Sequence, residues 1–217
     1  MPIHELHHLS SKQAYLIWDI QESEAELFNK LNPSLTEIQL YNQFKHLKRR
    51  LEWLATRLAY QLLCHEMNIS YSSILKDING RPYPANQKAY VSLSHSFPYV
   101  VAAISVDIPV GIDIQIPNMK LQLIQKKYLS KSEMVDASQD VEKLSVYWCT
   151  KEAIYKVHGK KTLSLQAITI KPFEKSSHGT IYVQVLERHH YQVDYSITPT
   201  YTLAGCYTDV KSSITNF

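Results

Sequence analysis

The sequence predicts an α+β protein built from two similar halves. A long amphipathic helical segment is followed by strand-like segments in the first half, and the order of helix then strand recurs in the second half. Short segments of the two halves also resemble each other, as an internal duplication would produce. We therefore place the halves at residues 1–108 and 109–217 and expect a pseudo-twofold axis to relate them.

The composition is that of a folded protein. Of the 217 residues, 45% are hydrophobic and 15 are tyrosines, which is more than disordered segments contain. The formal net charge of +3 is too small to indicate nucleic-acid binding, because such modules usually carry a concentrated basic surface. The densest basic stretch, residues 45–50, favours a solvated helix face over a surface that faces phosphates.

Cysteine usage and hydropathy indicate a cytoplasmic protein. The three cysteines lie far apart and form neither a zinc spacing nor an even disulfide set. The longest strongly apolar run, residues 99–106, is too short to span a bilayer. The first residues lack the charged-then-apolar pattern of a signal peptide. We therefore expect no association with a membrane.

The first half contains the clearest helical pattern. Apolar residues recur at three- and four-residue intervals from residue 44 to residue 62, which predicts an amphipathic helix with one buried stripe. Residues 79–82, Asn-Gly-Arg-Pro, predict a turn. Residues 89–93 and 99–106 predict two strands joined across residues 94–98.

The second half begins with a predicted strand at residues 110–115, which Pro117 ends. Ser130 and Glu133 have the spacing of a capping box, so a helix is predicted to begin there. A further helix is predicted between Val141 and Tyr155, with positions 141, 144, 148 and 155 on one face and Gly159 near its end. Three alternating segments then predict strands at residues 180–186, 191–197 and 201–207.

A weak internal repeat supports the division into halves. Residues 53–60 resemble residues 148–155, which aligns the two helices, and residues 99–107 resemble residues 201–209, which aligns a later strand. Chance matching of common residues is the alternative. The shared order favours two related halves, and we expect a binding site between them.

Two acidic residues are candidates for a metal site. Asp113 and Gln115 point to the same side of a strand, whereas Glu152 and Lys156 are neighbours at the four-residue spacing of a helix. Glu152 lies about 40° from Trp148 around that helix, at the edge of its apolar stripe. Two acids suit a magnesium ion that also takes substrate phosphates. From spacing alone, a surface ion pair of Glu152 with Lys156, with Asp113 in an ordinary turn, remains open and somewhat favoured.

These segments carry a family resemblance. Residues 111–115, Gly-Ile-Asp-Ile-Gln, and residues 148–156, Trp-Cys-Thr-Lys-Glu-Ala-Ile-Tyr-Lys, resemble the two signatures of the 4′-phosphopantetheinyl transferase superfamily, in matching order and separation. Residues 79–82 and 92–96 resemble two further segments that contact coenzyme A in that family. The doubled chain is similar to the surfactin-type branch rather than to the half-length trimeric one, so the resemblance implies a 4′-phosphopantetheinyl transferase fold.

The resemblance implies roles for individual residues. Asp113 and Glu152 would bind magnesium, which bridges the pyrophosphate of coenzyme A, and Lys156 would bind phosphate. The full set of implied site residues is Asp113, Gln115 and Glu152 for the metal, Glu152 and Lys156 for catalysis, and Arg50, Arg57, Arg81, Ser94, His95 and Lys156 for coenzyme A.

Two positions depart from the family pattern. Gln115 stands where the family often has Glu, so the metal would lose one negative ligand and would bind the amide oxygen or a water instead. Lys161 stands where a glycine usually follows Gly159 by two residues, which alters the expectation for that loop.

The implied function is transfer of 4′-phosphopantetheine from coenzyme A to a serine of an apo acyl or peptidyl carrier protein, with release of 3′,5′-ADP. Glu152 is the leading candidate for the general base, although metal binding would weaken it as a base. A duplicated chain can form its site internally, so we expect a monomer. The alternatives are a non-catalytic coenzyme A or carrier-protein binding module, and a nucleic-acid-binding module that uses the helix at residues 44–62.

Overall fold

A computed structural model describes residues 4–86, 88–159, 162–186 and 189–207. Lys161, which stands where the family pattern has a glycine, lies outside these ranges. The chain forms two compact units, Met1–Asp107 and Ile108–Phe217. Each unit contains helices and antiparallel strands, so the predicted α+β class is confirmed.

The first unit contains strands β1 to β6 and helices α1 to α3. Their bounds are β1 His4–Ser10, β2 Gln13–Asp19, α1 Glu24–Leu31, α2 Leu35–Tyr41, α3 Leu47–Glu66, β3 Ile74–Lys76, β4 Pro82–Pro84, β5 Tyr90–Ser96 and β6 Tyr99–Ser105. The main sheet has the order β1-β2-β6-β5, with every pairing antiparallel. Sequence periodicity did not predict β1, β2, α1 or α2.

Helix α3 is the predicted long helix, but it is not buried along a single stripe. Leu47, on the predicted stripe, is 52% exposed, whereas Trp53 and Ala55, off the stripe, are buried. The reason is that α3 packs against the sheet through β2 and β6 and also against α1, so its middle turns are enclosed from more than one side. The core of this unit surrounds these turns.

The β5–β6 hairpin is longer than predicted. Ser94 and His95 were expected in the connection, but they lie on β5, paired with Val101 and Val100. The ladder continues to Ser96 opposite Tyr99, which leaves only a two-residue connection. The turn predicted at residues 79–82 is confirmed between β3 and β4, where Gly80 has φ +82°.

The second unit contains β7 to β11 and α4 to α6. Their bounds are β7 Gly111–Gln115, α4 Lys120–Ile124, α5 Lys131–Ala137, α6 Val141–His158, β8 Ile168–Ile170, β9 His178–Val185, β10 His189–Ile197 and β11 Thr202–Cys206. The sheet order is β7-β11-β10-β9-β8, again antiparallel. The predicted strands of this half are confirmed within a few residues at their ends, and β8 was not predicted.

Helix α5 begins, and helix α6 begins and ends, as the sequence predicts. Ser130 and Glu133 form a capping box at the start of α5, and Gly159 ends α6 in the left-handed conformation with φ +68°. The predicted single apolar face of α6 is wrong, because Trp148 and Tyr155 are only partly buried while Lys151 and Ile154 are fully buried. Strands β7, β10 and β11 cover one side of α6 and α4 covers another.

The two units share one connection pattern. In the first, β2 is followed by α3 and then by the β5–β6 hairpin, and β6 lies between β2 and β5. In the second, β7 is followed by α6 and then by the β10–β11 hairpin, and β11 lies between β7 and β10. In each unit the long helix packs on the last strand.

The cysteines Cys64, Cys149 and Cys206 are buried and free of disulfides. Among the helices of the described ranges, none has the length and apolar character needed to cross a membrane.

Candidate functional site

The second unit brings Lys156 and Asp113 into direct contact. Lys156 Nζ lies 2.7 Å from Asp113 Oδ1 and 2.8 Å from the carbonyl oxygen of Ile112. The side chains are 23% and 7% exposed, so the pair is partly buried. Asp113 lies on β7 rather than in a turn, and Lys156 pairs with Asp113, so the alternative of a surface Glu152–Lys156 pair is wrong.

Gly111 allows the close approach of helix and strand that forms this contact. A Cβ at this position would lie 2.0 Å from the carbonyl oxygen of Ala153 and 2.7 Å from Val157 Cγ2. Side chains alternate along a strand, so Asp113 and Gln115 share the face of Gly111, which is the face that α6 packs against. The glycine therefore places the acidic residue of β7 beside the last turns of α6.

Glu152 faces the same site from one turn earlier on α6. Burial raises the pKa of this carboxyl group, the negative charge of Asp113 raises it further, and Lys156 acts in the opposite direction. Glu152 and Lys156 lie on one side of the helix at the four-residue spacing. The site thus holds the carboxyl group of Glu152, whose charged form Asp113 disfavours, together with Asp113 itself and one ammonium group.

Cys149 is a further member of the site that the sequence analysis missed. Its Sγ lies 3.5 Å from the carbonyl oxygen of Thr202 on β11. Burial first, and then the charge and hydrogen bonding of Asp113, raise the pKa of the thiol well above its ordinary value. A thiol held in the neutral form is a poor nucleophile. Cys149 precedes Glu152 by three residues, and residues at this spacing lie on the same side of a helix. That spacing is the sequence signal from which Cys149 could have been predicted as a member of the site.

Gln115 lies beside this cluster with a fixed amide group. Its Nε2 donates to the carbonyl oxygen of Ile116 at 2.7 Å, which orients the amide nitrogen toward the backbone. Thr202, opposite Gln115 in the β7–β11 pairing, has a buried hydroxyl without a hydrogen-bond partner in the described part of the chain. The amide oxygen of Gln115 is therefore the atom of this side chain suited to accept or ligate.

The donor set fits a magnesium ion. No group of three or more His, Cys, Asp and Glu residues suited to a metal occurs among the described residues. Magnesium needs fewer, because it binds one or two carboxylates and completes its shell with waters and substrate phosphates. Asp113 and Glu152 supply two carboxylates, and their mutual repulsion is a reason for a cation to bind beside them.

His95 belongs to a separate polar cluster within the first unit. Arg49 Nη1 lies 2.6 Å from His95 Nε2 and donates to Glu52 Oε2 at 2.7 Å. His95 Nδ1 lies 3.4 Å from the same carboxylate oxygen, Glu52 Oε2. Burial alone would raise the pKa of Glu52, but the hydrogen bonds and charges of His95 and Arg49 lower it. Sequence analysis did not select Arg49, although it lies in the basic stretch at residues 45–50.

The remaining predicted residues of the first unit lie in different environments. Arg50 pairs with Glu24 at 2.6 Å, and Arg81 lies 5.7 Å from the centre of the Tyr90 ring. Arg57 is 8% exposed, with its guanidinium 4.0 Å from the Trp53 ring centre, and burial lowers its pKa to about 10. Ser94 is buried on β5. Their roles toward coenzyme A stay predictions.

Comparison with known families agrees with the site of the second unit. Residues 109–206 match the ACPS model, which describes the 4′-phosphopantetheinyl transferase superfamily. The matched region contains Asp113, Glu152 and Lys156, so the resemblance to this superfamily is confirmed for the second unit. The match indicates a transferase and phosphopantetheine transfer in general. No curated protein matches the chain.

Proposed function

We propose that this protein transfers 4′-phosphopantetheine from coenzyme A to a serine hydroxyl of an apo acyl or peptidyl carrier protein and releases 3′,5′-ADP. The single observation that carries the proposal is the contact of Lys156 with Asp113 beside Glu152, within the region that matches the superfamily. Phosphoryl transfer depends chiefly on positioning and on electrostatic stabilisation. A cluster of two carboxylates and one ammonium group supplies both.

Asp113 and Glu152 are the proposed ligands of a magnesium ion, with Gln115 as a weaker, neutral ligand through its amide oxygen. Bound there, magnesium would supply positive charge to the pyrophosphate oxygens of coenzyme A. Asp113 is buried and already accepts from Lys156 through one oxygen, Oδ1. A carboxylate has several lone pairs, so Asp113 is proposed to bind the ion while it also accepts from Lys156.

Lys156 is proposed to hold a phosphate oxygen of the substrate. Its ammonium group has three donors, of which the Ile112 carbonyl and Asp113 accept two. The third donor is directed to the pyrophosphate in this proposal, and the other two fix the position of the nitrogen. Preorganised donors of this kind stabilise charge that develops on phosphate oxygens and on the leaving group.

Glu152 is proposed to accept the proton of the carrier serine. The serine O–H bond breaks as its oxygen forms a bond to the β-phosphorus of coenzyme A. The bond from that phosphorus to the bridging oxygen breaks, and its electron pair leaves on 3′,5′-ADP. The raised pKa of Glu152 supports this role, because a base with a pKa nearer to neutral pH takes up a proton more readily.

The first unit is proposed to bind the nucleotide of coenzyme A. His95 and Arg49 place ring and guanidinium nitrogens side by side on β5 and α3, and both side chains are more than a third exposed. Charge-assisted donors suit phosphate oxygens. The proposed set is completed by Arg81, Ser94, Arg50 and Arg57. Because the side chain of Arg57 is buried, it would attract the phosphates by long-range electrostatics rather than by contact.

The doubled branch, a monomeric state and a cytoplasmic location also remain proposals. The shared strand-helix-hairpin connection of the two units supports a duplicated chain of the surfactin type. The pseudo-twofold relation expected from the repeat stays a prediction.

The test is incubation with coenzyme A, magnesium and a panel of apo carrier proteins, followed by intact-mass measurement of each carrier. We expect one carrier to gain the mass of one phosphopantetheine group and to lose this gain when its acceptor serine is replaced by alanine. Retention of coenzyme A without a mass gain on any carrier would support the non-catalytic binding module instead.

A further inference from the structure

Lys151 is fully buried in the second unit, and each of its ammonium protons has an acceptor. Lys151 Nζ donates to Glu133 Oε2 at 2.8 Å, to the carbonyl oxygen of Ile168 at 2.7 Å and to that of Leu165 at 3.2 Å. The side chains of Lys151 and Glu133 are 0% and 2% exposed. Water and substrate therefore have no access to this ammonium group, although it lies next to Glu152 in the sequence.

Glu133 extends the network to two further backbone groups. Its Oε2 accepts from the backbone N–H of Ser130 at 2.7 Å, which is part of the capping box of α5. Its Oε1 accepts from the backbone N–H of Ile170 at 2.9 Å. The Lys151–Glu133 pair thus ties α6 to the start of α5 and to the segment that leads into β8.

The pair acts on a different side of α6 from the candidate site. Lys151 and Lys156 are five residues apart, which separates their directions by about 140° around the helix. Lys156 fastens α6 to β7, and Lys151 fastens it to α5 and to β8. Two anchors on separate faces fix the rotation of a helix about its own axis, which packing of apolar side chains leaves less defined.

Stability alone does not explain a buried ion pair. The desolvation of two charges offsets most of their attraction, so well-packed apolar residues are often as stabilising. Burial lowers the pKa of Lys151, and Glu133 opposes that effect. A buried polar network in which every group is hydrogen-bonded holds the elements that it joins in one defined arrangement, which an apolar core does less strictly.

We infer that Lys151 and Glu133 are positioning residues for the transfer reaction, which hold α6 at the rotation that brings Glu152 and Lys156 to Asp113. The inference rests on the proposed function, and it assigns Lys151 no contact with substrate. A displacement of about 1 Å at reacting groups is enough to lower a rate about a hundredfold.

The test compares Lys151→Met with the double variant Lys151→Met/Glu133→Gln, in which no charge is left buried and unpaired. We expect the single variant to lose thermal stability and the double variant to regain part of it. Both variants should show kcat lowered about a hundredfold, with KM for coenzyme A within about twofold of the wild-type value. Val193→Ala is the matched control, because Val193 is fully buried on β10 outside the network.

Val193→Ala should lower the melting temperature without lowering kcat, measured well below that temperature. A double variant that folds and keeps wild-type kcat overturns the inference. A double variant that fails to fold while Val193→Ala folds also overturns it, because the pair would then act on stability alone.

If the wild-type protein transfers nothing to any carrier, the proposed function fails, and a second measurement decides the inference. In lysine-labelled protein, the Lys156 ammonium NMR signal, assigned by its loss in Lys156→Gln, should shift in the double variant. An unchanged signal overturns the inference.

Discussion

Lys156 Nζ lies 2.7 Å from Asp113 Oδ1, so an ion pair joins the last turn of α6 to the middle of β7. The same ammonium group reaches the backbone carbonyl of Ile112. Glu152, one turn earlier, therefore lies near a carboxylate that already has one cationic partner. Five expectations follow from this arrangement and from the cluster around His95.

Asp113→Asn and Glu152→Gln should each lower the transfer rate about a hundredfold or more, because each removes a charge at the proposed metal and phosphate site. Rates are measured at saturating coenzyme A with magnesium varied. Glu142→Gln, at an exposed position of the same helix, is the control and should transfer at the wild-type rate. Near-normal turnover in a folded Asp113→Asn protein would remove Asp113 from the site.

Gln115→Glu should tighten magnesium binding, since it adds a third carboxylate on the face of β7 that carries Asp113. The measurement is the magnesium concentration at half-maximal rate, with direct titration calorimetry as the second readout. Gln192→Glu, exposed on β10, adds the same charge away from the site and should change neither. Unchanged magnesium dependence in Gln115→Glu would mean that residue 115 does not ligate the ion.

Gly111→Ala should lower the free energy of unfolding by about 1–3 kcal/mol, because the new Cβ would overlap the Ala153 carbonyl and overpacking of this kind costs that much. Urea denaturation measures the change. Gly80→Ala is the comparison: its Cβ would meet no atom within 4 Å, so its cost comes only from the positive φ. A Gly111→Ala protein that unfolds with the wild-type free energy would contradict the close approach of α6 to β7.

Glu152→Gln should be more stable than the wild-type protein near neutral pH when magnesium is absent. The folded state raises the pKa of Glu152 through burial and through Asp113. A carboxyl group of this kind favours the folded state below its unfolded pKa, and that contribution is lost as pH rises through the folded pKa. The stability gain of the variant should therefore disappear in acid, below the ordinary glutamate pKa. A gain that is constant from acid to neutral pH would contradict this assignment.

His95→Ala and Arg49→Ala should chiefly raise KM for coenzyme A, because groups that bind an unchanged phosphate contribute alike to the ground and transition states. The comparison substrate is 3′-dephospho-coenzyme A. The effect of removing a contact with the 3′-phosphate should largely disappear with that substrate. Arg50→Ala and Arg81→Ala extend the test to two partly exposed arginines. Lys156→Met should instead lower kcat with both substrates. Equal penalties with both substrates for all four first-unit variants would contradict nucleotide binding by this unit.

Local signals predicted those parts of the fold that short sequence patterns determine. The capping box at Ser130, the terminating Gly159 and the alternation along β7 each gave the observed element. Burial around α3 and α6 was predicted wrongly, because tertiary packing from several sides overrides a one-stripe pattern. Capping boxes also begin the short helices α1 and α2, so the same sequence signal predicts their first residues.

The candidate site was predicted in part for a similar reason. Asp113, Glu152 and Lys156 lie in recognisable motifs, but the partner of Lys156 depends on how closely α6 approaches β7, which spacing within α6 does not determine. Cys149 and Arg49 were missed because their contacts join separate elements. The burial of Arg57 follows from the packing of α3 and had no signal in the basic stretch nearby.

The most direct test of the central claim measures both products in the same quenched samples. Wild-type protein, coenzyme A, magnesium and the responding apo carrier are mixed, and 3′,5′-ADP and the carrier mass are followed together. The account predicts one 3′,5′-ADP released for each phosphopantetheine gained by the carrier serine, with both lost in Asp113→Asn. Release of 3′,5′-ADP without a carrier mass gain, or the absence of both products with every carrier, would contradict the account.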